Sequence, residues 1–118
     1  MRLETLAAMS ALISLAACAS PAQTSTQGKD SLYVSAGSHQ CQGGGQTAGQ
    51  VRQRLQQAGI EVLQATCGHD GRIYASVCGG PDGRIIIVDV PAAKEAAARS
   101  LGFAPLAGLP DATKRPCA

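Results

Sequence analysis

The chain has 118 residues, of which 45% are hydrophobic and only 3% aromatic, and its formal net charge is +2. This length allows one small domain, whose core must be built mainly from Ile, Val, Leu and Ala. The small positive excess is scattered along the chain, with no basic run interleaved with aromatic residues, so we do not expect nucleic acid as a partner.

The N-terminal segment has the features of an export signal. Residues 5–17 are apolar apart from three hydroxyl residues, and this stretch is too short to span a bilayer as a stable helix. It ends in Leu15-Ala16-Ala17-Cys18, which resembles the lipobox of bacterial lipoproteins. The resemblance implies that residues 1–17 are a signal peptide and that Cys18 becomes a lipidated N-terminus, with a diacylglyceryl thioether and an N-acyl chain such as palmitate. The alternative is an ordinary secretory signal cut near Ala17 or Ala19.

The same resemblance implies a location. Several acyl chains hold a protein to a membrane where a single chain would not. Ala19 stands where lipoproteins retained in the inner membrane carry Asp, so the resemblance implies an outer-membrane anchor facing the periplasm. Residues 18–30 contain no large apolar side chain and predict a flexible tether, which leaves residues 31–118 as the domain.

The first half of the domain predicts two strands and a helix. Alternating apolar and polar residues over 31–40 predict the first strand. A capping box of Thr47 and Gln50, apolar residues at helical spacing and a terminal Gly59 predict the helix. Residues 60–67 predict the second strand.

The next segment combines turns and strands. A hairpin turn at residues 68–71 leads into a predicted third strand at 72–78, and residues 84–90, the most β-branched stretch, predict a fourth. Asp70-Gly71-Arg72 and Asp82-Gly83-Arg84 indicate the same turn chemistry used twice, since Asp and Gly tolerate positive φ.

The predicted order of elements is β-α-β-β-β-α. Residues 92–101 complete it with a second helix, and residues 104–118, which contain several prolines, predict an irregular tail. Short connections favour an α+β two-layer sandwich, with a four-stranded mixed sheet and both helices on one face, stapled by disulfides.

Four cysteines remain after Cys18, an even number that predicts two disulfides in an exported protein. The predicted strand directions place Cys41 and Cys67 at one edge of the sheet, and Cys78 and Cys117 at the other. Because partners must be close, these directions predict the pairs Cys41–Cys67 and Cys78–Cys117.

A metal site is the alternative use of the same edge. His39-Gln-Cys41 and Cys67-Gly-His69 bring two His and two Cys to one predicted edge, a set that suits zinc or copper. This spacing is uncommon for zinc, and such thiols tend to oxidise in the periplasm. We therefore expect no metal and no cofactor.

The sequence offers no motif for catalysis. It lacks a C-x-x-C pair, and Gly43-Gly44-Gly45 before the first helix lacks the Lys-Ser/Thr of a phosphate loop. No serine has the context of a nucleophile elbow, so a small hydrolase is the least favoured function.

The remaining signal is apolar surface. Residues 85–90 place β-branched side chains on both faces of the fourth strand, so one face is exposed unless residues 104–109 or a partner cover it. We therefore expect a non-enzymatic, lipid-anchored envelope protein that binds another protein through its exposed sheet or a loop edge. The alternative is a periplasmic metal-binding lipoprotein.

Overall fold

Residues 28–117, which the computed structural model describes, form a five-stranded sheet with two helices. The predicted signal peptide, Cys18 and most of the predicted tether lie outside the described residues. The elements are β1 (Lys29–Ser35), α1 (Ala48–Gln57), β2 (Gln64–His69), β3 (Arg84–Pro91), α2 (Glu95–Ser100), β4 (Ala104–Pro105) and β5 (Thr113–Arg115). The strand order is β4-β1-β3-β2-β5, and every neighbouring pair is antiparallel.

The α+β class is confirmed, but the predicted four-stranded mixed sheet is wrong. The predicted third strand at residues 72–78 is not a strand, and β2 pairs directly with β3 instead. Residues in this segment have strand propensity, but the backbone of Ala75 and Val77 bonds to the side chain of Gln40 rather than to a strand. Two further strands, β4 and β5, come from the tail that the sequence predicts as irregular.

The first strand starts slightly earlier than the predicted domain boundary at residue 31. Lys29 and Asp30, which the sequence assigns to the tether, pair with Pro91 and Val90 of β3. The Nζ atom of Lys29 also lies 3.5 Å from the buried carboxylate of Asp89. These cross-strand contacts extend β1 into the predicted tether.

The main core lies between one face of the sheet and the two helices. Helix α1 begins with the predicted capping box: Thr47 Oγ1 accepts from the Gln50 amide, and Gln50 Oε1 accepts from the Thr47 amide. The buried residues of this core come from β1, β3, both helices and the adjoining loops: Leu32, Ala36, Val51, Leu55, Ile60, Val62, Ile86, Val88, Val90, Ala98 and Phe103. Each large side chain buried here contributes about 1.5–3 kcal/mol.

The second face of the sheet is covered by the tail. Ile85 and Ile87 point away from the helices and pack with Leu109, which is buried with them. Leu106 and Ala112 add to the same cluster. Of the two alternatives that the sequence leaves open for this face, coverage by residues 104–109 is therefore the one found in the structure, with Leu106 and Leu109 packed on it. No helix within residues 28–117 is long and apolar enough to cross a bilayer.

Candidate interaction site

The connection between β2 and β3, residues 70–83, forms a long loop at one end of the sheet, which we call the tip loop. In β1, Lys29 lies opposite Pro91, whereas Ser35 lies opposite Ile85, next to the ends of β2 and β3 that the tip loop joins. The tip loop therefore lies at the far end of the sheet from the point where the chain enters β1.

Gln40, in the segment between β1 and α1, holds the tip loop in place. Its side-chain amide donates to the carbonyls of Ala75 (2.8 Å) and Pro81 (3.0 Å) and accepts from the amide of Val77 (3.1 Å). Its backbone exchanges two more hydrogen bonds with Gly79 and Gly80. One residue thus satisfies five backbone groups of the loop.

A disulfide also joins the segment between β1 and α1 to the tip loop. Cys41 is bonded to Cys78 in the tip loop, with 5.1 Å between their Cα atoms, and Cys67 of β2 is bonded to Cys117 beyond β5, with a Cα separation of 5.0 Å. The prediction that these four cysteines form two disulfides is confirmed.

The predicted disulfide pairs are wrong, for a topological reason. Because residues 72–78 do not form a strand, the strand at residues 84–91 runs in the direction opposite to the predicted one, antiparallel to β1. Cys78 consequently lies at the same end of the sheet as Cys41. The added strand β5 pairs Arg115 with Cys67 and so carries Cys117 to Cys67.

The two Asp-Gly-Arg triplets form turns that touch each other. Asp70 Oδ1 accepts from the Arg72 amide (2.9 Å), and Asp82 Oδ1 accepts from the Arg84 amide (3.1 Å). The Asp70 amide donates to the Gly83 carbonyl, which connects the two turns. The predicted turn chemistry is confirmed, although a strand follows only the second triplet.

A polar cluster lies between these turns, beside a cleft of about 220 Å³. The Tyr74 hydroxyl donates to Asp70 Oδ2, and this hydrogen bond, together with burial, raises the pKa of Tyr74. Burial opposes the ionisation of Asp82, but the nearby Ser38 hydroxyl and the amide and guanidinium of Arg84 outweigh it, so the pKa of Asp82 lies below its ordinary value. These carboxylates are engaged in holding the turns together.

The residues of the alternative metal site do not come together. Cys41 and Cys67 are bonded to different cysteines, and His69 Nδ1 accepts from the Gly71 amide (2.9 Å). His39 is exposed, and its backbone pairs with Gly43. Across the described part of the chain, no three His, Cys, Asp or Glu side chains are grouped as metal ligands. The predicted zinc or copper set fails because β5 and the tip loop supply each cysteine with a partner.

The tip loop also carries exposed apolar side chains. Ile73 is fully exposed and Val77 is 57% exposed. Sequence reasoning missed this surface because residues 72–78 have the composition of a strand, which would bury alternate side chains. Gln40 was missed as well, since no local pattern distinguishes a glutamine that bonds to a segment 35 or more residues away.

Comparisons with protein-family models, with curated proteins and with solved structures find no match for this chain. Its function is therefore inferred from the chemistry of its own residues.

Proposed function

We propose that this protein is a lipid-anchored component of the bacterial cell envelope, held to the outer membrane through Cys18, and that it binds another protein through the tip loop without catalysing a reaction. The lipobox resemblance of Leu15-Ala16-Ala17-Cys18 supports the anchor. The two disulfides support export, because such bonds persist in oxidising compartments such as the periplasm.

The observation that carries this proposal is that Ile73 is fully exposed on a loop that a disulfide and several hydrogen bonds hold in place. The Cys41–Cys78 disulfide and the hydrogen bonds of Gln40 restrain the loop before any partner arrives. Burying an isoleucine side chain against a partner contributes about 1.5–3 kcal/mol. A restrained loop loses little conformational entropy on binding, so most of this gain is available for affinity.

The other surfaces of the sheet are less suited to a partner. Its second face is covered by the tail, as described above. At its edges, β4 has two residues, one of them Pro105, and β5 has three, among them Lys114 and Arg115. Short strands, proline and charged side chains are the means by which proteins prevent strand pairing at a sheet edge. Among residues 28–117, the tip loop carries the most exposed large apolar side chain, Ile73.

The position of the loop agrees with a membrane anchor. A chain tethered at Cys18 enters the domain at Lys29, and β1 then runs for seven residues, about 20 Å, toward the tip loop. The tether would therefore attach at one end of the sheet, whereas the tip loop that carries Ile73 lies at the other end. We expect the partner to approach from the side opposite the anchoring membrane.

Site-specific photocrosslinking in intact cells tests this function. A photoreactive amino acid at Ser76, which is exposed between Ile73 and Val77, is expected to capture a protein. The matched control is Leu63, an exposed apolar residue just before β2, near the end of the sheet where the chain enters. We expect an adduct from Ser76 that disappears in the Ile73→Ser variant and does not form from Leu63.

Ile73→Ser changes a side chain with no packing contacts to lose, so its melting temperature should remain that of the parent protein. An adduct from Ser76 that persists in Ile73→Ser, or no adduct from Ser76 at all, would contradict binding through the tip loop.

A further inference from the structure

The two disulfides differ in how readily a reductant reaches and opens them. We infer that Cys41–Cys78 is an exchange-active disulfide, which a protein dithiol opens in the folded state, and that its opening loosens the tip loop. Cys67–Cys117 stays closed under the same conditions. This inference goes beyond the proposed function, because it does not depend on what the tip loop binds.

Cys41 has an unfavourable backbone conformation. Its φ is +68°, and within residues 28–117 it is the only residue other than glycine with a positive φ. A Cβ atom disfavours this left-handed region, so the conformation persists only where the surrounding contacts impose it. The bridge to Cys78 is one such contact, and the two backbone hydrogen bonds between His39 and Gly43 are another. Opening the bridge removes one of these constraints and so releases part of the cost.

Exposure also distinguishes the two bridges. Disulfide exchange requires a thiolate to reach one sulfur and to expel the other as a thiolate. Cys41 and Cys78 are both exposed, so a reductant meets no buried half of this bridge. Cys67 is half-buried in β2 and packs against the main core, although Cys117 is exposed. Attack at Cys117 would expel a thiolate at Cys67, where the loss of hydration disfavours the charge.

The exchange is a two-electron reduction of the bridge by the dithiol. A thiolate of the dithiol attacks Sγ of Cys78, which forms a mixed disulfide and breaks the bond to Cys41. The second sulfur of the reductant then attacks the mixed disulfide, so that the reductant is oxidised to its own disulfide. Cys41 and Cys78 are left as thiols, and their two protons come from the dithiol, directly or through water.

Opening the bridge removes the covalent link between the tip loop and the segment before α1. Hydrogen bonds then remain between them, among them the bond from the Gly79 amide to the Gln40 carbonyl (2.9 Å) and the bond from the Val77 amide to Gln40 Oε1 (3.1 Å). Hydrogen bonds of an exposed loop open easily in the folded state. The tip loop should therefore be more mobile when the bridge is reduced, while Cys67–Cys117 still holds β5.

Timed reduction of the folded protein tests which bridge opens first. The protein with both bridges formed is mixed with dithiothreitol or with reduced thioredoxin, quenched with acid at intervals and alkylated. Mass spectrometry of the peptides then gives the reduced fraction of each bridge. We expect Cys41 and Cys78 to become alkylated faster than Cys67 and Cys117 by about tenfold or more, because exchange depends on access and on the leaving thiolate.

Each bridge is the control for the other within the same molecule, so this comparison needs no substitution. In guanidinium chloride the two rates should become similar, because the difference comes from the fold. Equal rates in the folded protein, or faster opening of Cys67–Cys117, would overturn the inference. A difference that persists in the denaturant would also overturn it, since the rates would then depend on local sequence rather than on the structure.

Amide hydrogen exchange tests whether the tip loop responds. In protein reduced only at Cys41 and Cys78, the amides of Val77 and Gly79 should exchange faster than in the oxidised protein by about tenfold or more. The amides of β2 that pair with β3 are the control and should keep their rates. Unchanged exchange at Val77 and Gly79 would show that the bridge opens without loosening the tip loop, which contradicts the second part of the inference.

Discussion

Gln40 and Tyr74 show how single side chains hold a long loop without a strand. Gln40 bonds to backbone groups of Ala75, Val77 and Pro81, which a strand neighbour would otherwise satisfy. Tyr74 bonds to Asp70 at the start of the loop. These side-chain hydrogen bonds give the loop backbone fixed partners where no neighbouring strand supplies them.

Tyr74→Phe should destabilise the protein by about 1–2 kcal/mol, because it leaves a buried carboxylate oxygen of Asp70 without its donor. The hydrogen bond raises the pKa of Tyr74 above its ordinary value of 10.0. The stabilisation is therefore complete below pH 10 and is lost as the pH rises through the folded-state pKa. Denaturant unfolding from pH 7 to pH 11 measures this loss.

The matched control is Tyr33→Phe, because Tyr33 is a partly buried tyrosine that packs against Ile85, Ile87 and Leu109, outside the tip loop. We expect Tyr74→Phe to weaken the dependence of stability on alkaline pH, and Tyr33→Phe to retain it. An alkaline loss of stability that is equal in the parent protein and in Tyr74→Phe would contradict the role assigned to this hydrogen bond.

At Gly45, both the backbone conformation and the space around the residue require a glycine. Gly45 has a φ of +80°, and a Cβ atom there would lie 2.2 Å from the carbonyl oxygen of Ala36. Gly44 has a similar φ of +77°, but a Cβ atom would have open space around it. The run of glycines before α1 thus provides positive φ values and, at Gly45, a close backbone approach.

The two disulfides attach different elements to the sheet. Cys41–Cys78 closes a separation of 37 residues and holds the tip loop, whereas Cys67–Cys117 closes 50 residues and holds the edge strand β5. Chain entropy depends only weakly on loop length, so each bridge contributes about 4 kcal/mol by this argument. The two disulfides should therefore contribute similarly to the unfolding free energy, but only Cys41–Cys78 should affect binding through the tip loop.

Removal of the bridges tests this difference. Both Cys41→Ala/Cys78→Ala and Cys67→Ala/Cys117→Ala should lose about 4 kcal/mol of unfolding free energy. Only the first pair is expected to lower the adduct yield from Ser76, because it alone releases the tip loop. Thiol titration of the parent protein should detect no free thiol at these four positions. Equal effects of both pairs on the adduct would show that the disulfide does not act through the loop.

The proposed lipid anchor and the tip loop would together give the molecule a direction. The tether from Cys18 to β1 can span at most about 40 Å when fully extended. The domain then adds the length of β1 before the tip loop is reached. The proposed anchor at one end and the proposed contact through Ile73 at the other would suit a protein that connects a membrane to a partner beyond it.

Cys18→Ser tests the anchor. Because the cysteine thiol would be the lipid acceptor, this variant should lose its lipid and remain an uncut precursor or be released in soluble form. Partitioning between detergent and aqueous phases, with mass analysis of the N-terminus, measures the change. Ser20→Ala, which leaves the lipobox intact, serves as control and should stay in the detergent phase. Continued partitioning of Cys18→Ser into detergent would contradict a lipid anchor.

Several features could be predicted from the sequence because they depend on interactions between residues close together in the chain. The capping box of Thr47 and Gln50, the positive φ of Gly59 and the two Asp-Gly-Arg turns depend on residues a few positions apart, and the structure contains all of them. The use of four cysteines in two disulfides was predictable from their even number, together with the predicted export signal. For the same reason, the α+β class was predictable from the periodicity of the segments.

Only the tertiary structure decided which segments pair. Residues 72–78 have the local preferences of a strand, but β3 takes the place beside β2, and Gln40 and the Cys41–Cys78 bridge engage those residues instead. Leu109 closes the second face of the sheet from a tail that has no regular pattern. Such outcomes depend on competition between partners far apart in sequence, which local propensity does not record. That competition set the strand directions, the disulfide pairs and the exposure of Ile73.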